Sequence, residues 1–407
     1  MVQAEQDLAA LRESIRTAFS CPGHLDYWPA IRYAEAAADC VDALADLVRE
    51  GRGADVVPLA ELAVHLLLDA VGKADDSAGA LGDLMRRLLR MHAEACMATR
   101  RAGPVDPVRL ADWLVEFQLG GQDWFTVDIA EYAPALGEAG LDAYRSAVTA
   151  AWRTGPADFQ VRYAREGLAK LDRDVAALVE VVGGDLRYAA QYGRLARALR
   201  DIGEHASALD WAERGLRAHP EDPPGAGLRD FLVEAYLSRD GGTEAIRLRR
   251  DGLTRQPVLH SFTALRSAAR QAGRWDTERP AALALLARRN PEDHVRALLA
   301  EDDVDAAWAA AQQASTLSGL TWDELARRRA RTHPDEAVDI IRRRIEEVLT
   351  TSGRDVYRDA VRRLNLLREV CTRCGRGADF DRCVRGLIDR HHRRTAFLAE
   401  LSRAGLC

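Results

Sequence analysis

The spacing of apolar residues constrains this chain more than any other feature. They recur at three and four positions almost from end to end, as in Leu59, Leu62, Ala63, Leu66, Leu67 and Ala70, while alternating runs of Val, Ile and Thr are scarce. That period belongs to amphipathic helices and leaves a sheet nothing to be built from. Short Gly, Pro or Asp clusters, such as 51–53, 103–104, 120–121, 183–184, 223–224 and 241–242, interrupt it at intervals of roughly 12 to 20 residues. Connections this short join antiparallel neighbours. The expectation is an all-α chain of packed helix pairs.

Pairs that recur with periods of about 30 to 40 residues stack into solenoids. Residues 189–222 fit the tetratricopeptide (TPR) pattern, with Tyr192, Leu195, Ala196, Leu199, Gly203, Ala208 and Pro220 at its aromatic, Leu, small, large, Gly, Ala and Pro positions. The small residues let two helices approach closely, Gly203 closes the turn and Pro220 stops the second helix. A second unit carries Leu232, Tyr236, Ala245 and Pro257, and a looser third ends at Pro291. The clearest repeats thus cover 189–257. Helices continue through 304–311 (with Trp308), 322–331, 334–349 and 357–373 without clean motif positions. This reading makes 185–407 a TPR-like helical-repeat superhelix and 1–184 a separate helical subdomain of unclear period.

The chain has 407 residues, 47% of them apolar, enough for a sizeable core. Its 57 basic and 63 acidic residues give a net charge of −6, which draws it globally to neither nucleic acid nor membrane. Arg supplies nearly all the positive charge; Lys73 and Lys170 are the only lysines. No long uninterrupted apolar stretch and no secretory pattern is present, so a cytoplasmic chain is expected, its seven cysteines reduced.

Few residues suggest chemistry. Cys371, Cys374, Cys383 and His391-His392 carry donor types that build tetrahedral zinc sites. Yet the first two end a strongly periodic helix and Cys383 lies on the apolar side of the next, where free Cys packs well. Core burial is the preferred reading and a metal site the alternative. His92 and Cys96 share a helix face but lack further donors, which also favours packing. Asp75-Asp76 and Asp302-Asp303 read as helix caps. No phosphate loop, dinucleotide fingerprint or nucleophile elbow occurs. No cofactor is implied. Residues 322–406 hold 20 Arg against 14 acids, including 327–329 and 342–344, but acids three or four positions away point to ion-paired helix faces.

Several stretches resemble the helical region that follows the zinc finger in actinobacterial SWIM zinc-finger proteins. They include Asp75-Asp76-Ser77 with Leu81-Gly82, residues 136–141 with Tyr144-Arg145, and Arg194-Leu195-Ala196 through Ala208–Glu213 to Gly215-Leu216. Others are Asp305–Trp308, Thr332-His333-Pro334 and His392-Arg393-Arg394 with Phe397-Leu398. The similarity runs from about residue 25 to the end. The Cys-x-Cys and Cys-x-His pairs of the finger are absent, so the resemblance implies the repeat half without its zinc or the finger's binding activity. It also implies no ligand role at Cys371, Cys374 and Cys383.

The expected function is a non-enzymatic scaffold that offers a solenoid groove to a protein or peptide partner through Tyr188, Tyr192, Arg194, Arg229 and Glu234. A nucleic-acid-associated accessory role for 322–406 is the second reading, and a divergent enzyme the third.

Overall fold

The computed structural model describes residues 2–102, 106–222 and 227–406, with side chains described for 8–99, 106–222 and 227–406. Among these residues it is all-α, with twenty-one α-helices and no strand; one isolated bridge pairs Leu25 with Ala74. Backbone contacts divide the chain into two compact units, Met1–Gly215 and Leu216–Cys407. The cut falls inside a helix, and the division expected after residue 184 lies within the first unit.

The first unit contains α1 (Val2–Ala18), α2 (Tyr27–Arg49), α3 (Gly53–Val71), α4 (Ala80–Ala102), α5 (Pro107–Leu119), α6 (Ile129–Thr154), α7 (Phe159–Leu171), α8 (Val175–Leu178) and α9 (Ala189–Asp201). It also holds most of α10 (His205–Ala218), and α8 runs on into a π turn, Val179–Gly183. Aspartates set many of the starts. Asp106, Asp128, Asp158 and Asp174 each accept a backbone N–H at the head of α5, α6, α7 and α8, and Asp76 accepts two, from Leu81 and Gly82, at the head of α4. Gly137, at φ 56°, kinks α6.

Two glycines permit close helix approach. A Cβ on Gly53 would stand 2.6 Å from the Ala95 carbonyl of α4, and one on Gly140 would stand 2.7 Å from the Pro107 carbonyl of α5. These approaches help to close one continuous apolar core, which runs from Ile15 of α1 to Leu168 of α7 around the fully buried Leu67, Leu88 and Leu136.

The second unit contains α11 (Leu228–Leu237), α12 (Gly242–Arg255), α13 (Leu259–Gln271), α14 (Trp275–Arg289), α15 (Pro291–Ala300), α16 (Val304–Gln313), α17 (Gly319–Arg329), α18 (Pro334–Val348), α19 (Arg354–Arg373), α20 (Gly377–Arg390) and α21 (Thr395–Arg403). Each helix from α11 to α19 packs on the next, and the odd-numbered helices α11 to α21 also touch the next odd one. Contacts of this order, to the neighbour and the neighbour but one, are those of a helical-repeat solenoid. The expected repeat landmarks fall as read: Gly203 lies at φ 82° between α9 and α10, Ala245 is fully buried, and Pro257 follows α12.

The core of this unit comes in successive clusters, one from Ile246 to Leu325 and one from Ala326 to Leu406. Trp308 and Trp322, edge to face at 6.3 Å, pack against both. Two adjacent carboxylates tie the odd helices together. Asp293 of α15 accepts the Leu259 N–H at the head of α13 (2.9 Å), and Glu292 accepts the Ser318 N–H (2.7 Å) and the Thr321 hydroxyl (2.6 Å) at the head of α17.

Candidate functional site

In the second unit, α11 and α13 leave a groove between them, with Arg249 of α12 in its lining; its volume is about 560 Å³. Asp230, Val233, Glu234 and Leu237 line it from α11, and His260, Thr263, Ala264, Ser267 and Gln271 from α13. Both sets follow the i, i+3, i+4, i+7 spacing of one helix face, so each helix presents a single coherent stripe. Val233 and Ala268 are buried and Ala264 half-buried, which gives an apolar floor between charged and polar shoulders.

A recess of about 340 Å³ continues the groove past Asp230, Arg249, His260 and Ala264 towards Asp222, Arg229 and Arg255. The Asp222 carboxylate caps α11 through the Leu228 and Arg229 N–H groups (3.0 and 2.9 Å). Arg229 threads past Gly252 and donates to the Pro220 carbonyl at 2.9 Å. Burial, and then the nearby Arg249 and Arg255, depress its basicity. Arg249 pairs with Asp230 at 2.5 Å, while the exposed Arg255 has no partner among the described residues.

The residues named from the sequence divide between the two units. Arg229 and Glu234 line the recess and the groove. Tyr188, Tyr192 and Arg194 belong to the first unit. Tyr188 is exposed just before α9, where its N–H donates to Gln191 (2.8 Å); Tyr192 packs on Trp211 at 6.2 Å, and Arg194 is exposed. The sequence reading missed Asp230, Arg249 and the α13 stripe. The polar-and-small set His260, Thr263, Ala264, Ser267 and Gln271 after Pro257 was the available signal, at one-face spacing in a helix that carries no clean TPR consensus.

The other candidates resolve into packing and pairing. Cys371 is buried in the last apolar cluster, Cys383 packs against that cluster, and burial pushes both thiols up. Cys374 points its thiol at the Ala330 carbonyl (3.8 Å), and His391 meets the Phe397 ring edge to face. Among the described residues no three His, Cys, Asp or Glu side chains stand close enough to hold a metal ion.

His92 is fully buried. Tyr132 donates to the Leu89 carbonyl (2.9 Å) and so accepts from His92 Nδ1 (3.1 Å), which leaves Nε2 to accept the Cys96 thiol (3.6 Å). Burial, aided by Arg109, lowers the His92 pKa to about 3, and burial raises that of Cys96 to about 12. The chain of donors is satisfied and electrically neutral. Asp76 and Asp303 cap α4 and α16.

Twelve of the 20 Arg of 322–406 form ion pairs, whereas Arg342 and Arg343 of the second run form none among the described residues. Arg327 and Arg328 share Glu324, Arg329 meets Asp305 and Glu336, Arg344 pairs with Glu347, and Arg362 and Arg363 pair with Asp359. No described helix is long and apolar enough to cross a membrane.

No family model matches the chain, and none of the curated proteins matches it; the SWIM resemblance therefore stands on the sequence motifs alone. Among solved structures the chain is similar over 98% of its length to a circular tandem repeat protein with novel repeat topology, at 14% identity over 98% of that chain and a TM-score of 0.20. It is likewise similar to the human IFIT1 dimer with PPP-AAAA, at 12% identity over 94% of that chain and a TM-score of 0.22. Scores this low carry no argument; the assignment as a helical-repeat protein rests on the order of its own helix contacts.

Proposed function

We propose that the chain is an interaction scaffold that seats a segment of a protein partner in the α11–α13 groove. The observation that carries this reading is the pair of matched one-face stripes. An apolar floor of Val233, Leu237, Ala264 and Ala268 between the charged shoulders Asp230, Glu234 and Arg249 suits an amphipathic helix or an extended peptide. The volume lies in the range of built binding sites.

The ion pairing of the C-terminal third leaves less free positive charge for nucleic acid than its Arg count implies, so the protein-partner reading is preferred. Filling the floor tests it. Proteins that co-purify with the full-length chain should be lost from Ala264→Trp and from Glu234→Arg, yet retained by Arg327→Glu at an exposed position of α17 outside the groove lining. Retention by both groove variants, or salt-sensitive recovery of nucleic acid alone, would replace this reading with the second one.

A further inference from the structure

The first unit has a cleft of its own, about 290 Å³, between α3 and α5. Glu61, Val64 and Leu68 line it from α3, and Trp113, Glu116 and Phe117 from α5, again at one-face helical spacing. The lining differs in kind from that of the second unit. Trp113 and Phe117 lie nearly parallel, 5.7 Å apart with 14° between the rings, and form an aromatic wall in which Phe117 is buried and the half-buried Trp113 also packs on His92 at 4.5 Å. Two carboxylates flank that wall, and no Lys or Arg side chain lines the cleft.

Each of these carboxylates keeps at least one oxygen without a hydrogen-bond partner among the described residues. Glu116 has no ion pair or side-chain hydrogen bond among the described residues. Glu61 Oε2 accepts from the Arg109 guanidinium (2.9 Å), whose side chain is 59% exposed, and Oε1 accepts no hydrogen bond among the described residues. The nearest ring nitrogen to Oε1 is His92 Nε2 at 3.9 Å, but that imidazole is neutral and already engaged with Cys96. An aromatic face beside two under-used carboxylates, in a cleft with room for one long side chain, is complementary to a planar cation.

We propose that this cleft receives an arginine side chain of a bound polypeptide, its guanidinium lying against Trp113 and Phe117 and donating to Glu61 Oε1 and the Glu116 carboxylate. The site is independent of the α11–α13 groove.

The test uses the full chain labelled with 5-fluorotryptophan. The Trp113 resonance, identified by its absence in Trp113→Phe, is followed as the acetylated and amidated tripeptide Gly-Arg-Gly is added. The Trp113 signal is expected to shift saturably, whereas the same peptide with neutral citrulline in place of arginine should leave it unmoved. Glu116→Gln should weaken binding at least tenfold. Because Glu116 is exposed and unpaired, that variant should keep the parent's thermal unfolding midpoint, which separates lost binding from lost fold. An unmoved Trp113 signal, equal shifts with citrulline, or full affinity in a folded Glu116→Gln chain would each overturn the proposal.

Discussion

The two units solve the same packing problem differently. The first gathers α1 to α7 around one continuous apolar body and threads a neutral polar chain, Cys96 to His92 to Tyr132, through its middle. The second spreads its apolar residues into clusters handed from one helix pair to the next, with its charges paired along the outside. Both leave a cleft between alternate helices that carries the same spacing of lining residues, yet one wall is aromatic and acidic while the other is small, apolar and edged with arginine. Helix pairing therefore sets where a cleft opens, and the lining alone sets what it can hold.

The sharpest way to break this contrast is to open a hole in the second unit. Phe262 is fully buried beside Trp275, at 5.4 Å edge to face, and Phe262→Ala should cost about 3 to 5 kcal/mol. If its core is handed on from pair to pair, amide exchange should accelerate from α11 to α15 while α18 to α21 keep their protection. Uniform acceleration across the unit would mean a single cooperative body, like the first.

A smaller effect is expected at His92, the buried imidazole of the first unit. Replacement by Gln leaves the Cys96 and Tyr132 partners poorly matched and should cost about 2 kcal/mol at pH 7.5 in urea unfolding. The parent has its own penalty in acid. His92 stays neutral when folded down to about pH 3 but takes up a proton near its ordinary value once unfolded, so the parent's stability from this group is complete above pH 6.5 and drains away as pH falls towards 3. Each pH unit in that window removes about 1.4 kcal/mol. The gap between parent and His92→Gln should therefore close by about pH 5; a gap that stays constant would show that the imidazole is not held neutral.

The mildest effect is expected from the outer charges. Arg327→Ala breaks a half-exposed pair with Glu324 and should change stability by under about 1 kcal/mol in the same assay. A larger loss would mean that the paired arginines of 322–406 act as one network.

Much of this architecture could be read before any coordinates. The helical period, the repeat landmarks Gly203, Ala245 and Pro257, and the packing roles of His92, Cys96 and Cys371 all follow from spacing and residue type, because they depend on neighbours close in sequence. The clefts do not. The α13 stripe becomes a wall only because α11 stands opposite it, and Glu61 and Glu116 belong together only because α3 and α5 are left apart. A first-helix position makes Tyr188 a groove candidate in the sequence; in the structure it stands exposed at the N-terminal edge of α9.

The adjacent carboxylates of α15 bear on how this region can change over time. Glu292 and Asp293 are consecutive, yet one holds the start of α17 and the other the start of α13. Changing the length of a helix between Leu259 and Ser318 would rotate or displace one carboxylate from its N–H, and adding a whole helix pair would strand at least one of them. Repeat arrays commonly lengthen and shorten by duplication, but here the two side chains act as a length gauge that makes such edits costly. Insertions and deletions should therefore collect elsewhere in the chain, and 258–318 should keep its spacing even where its residues drift.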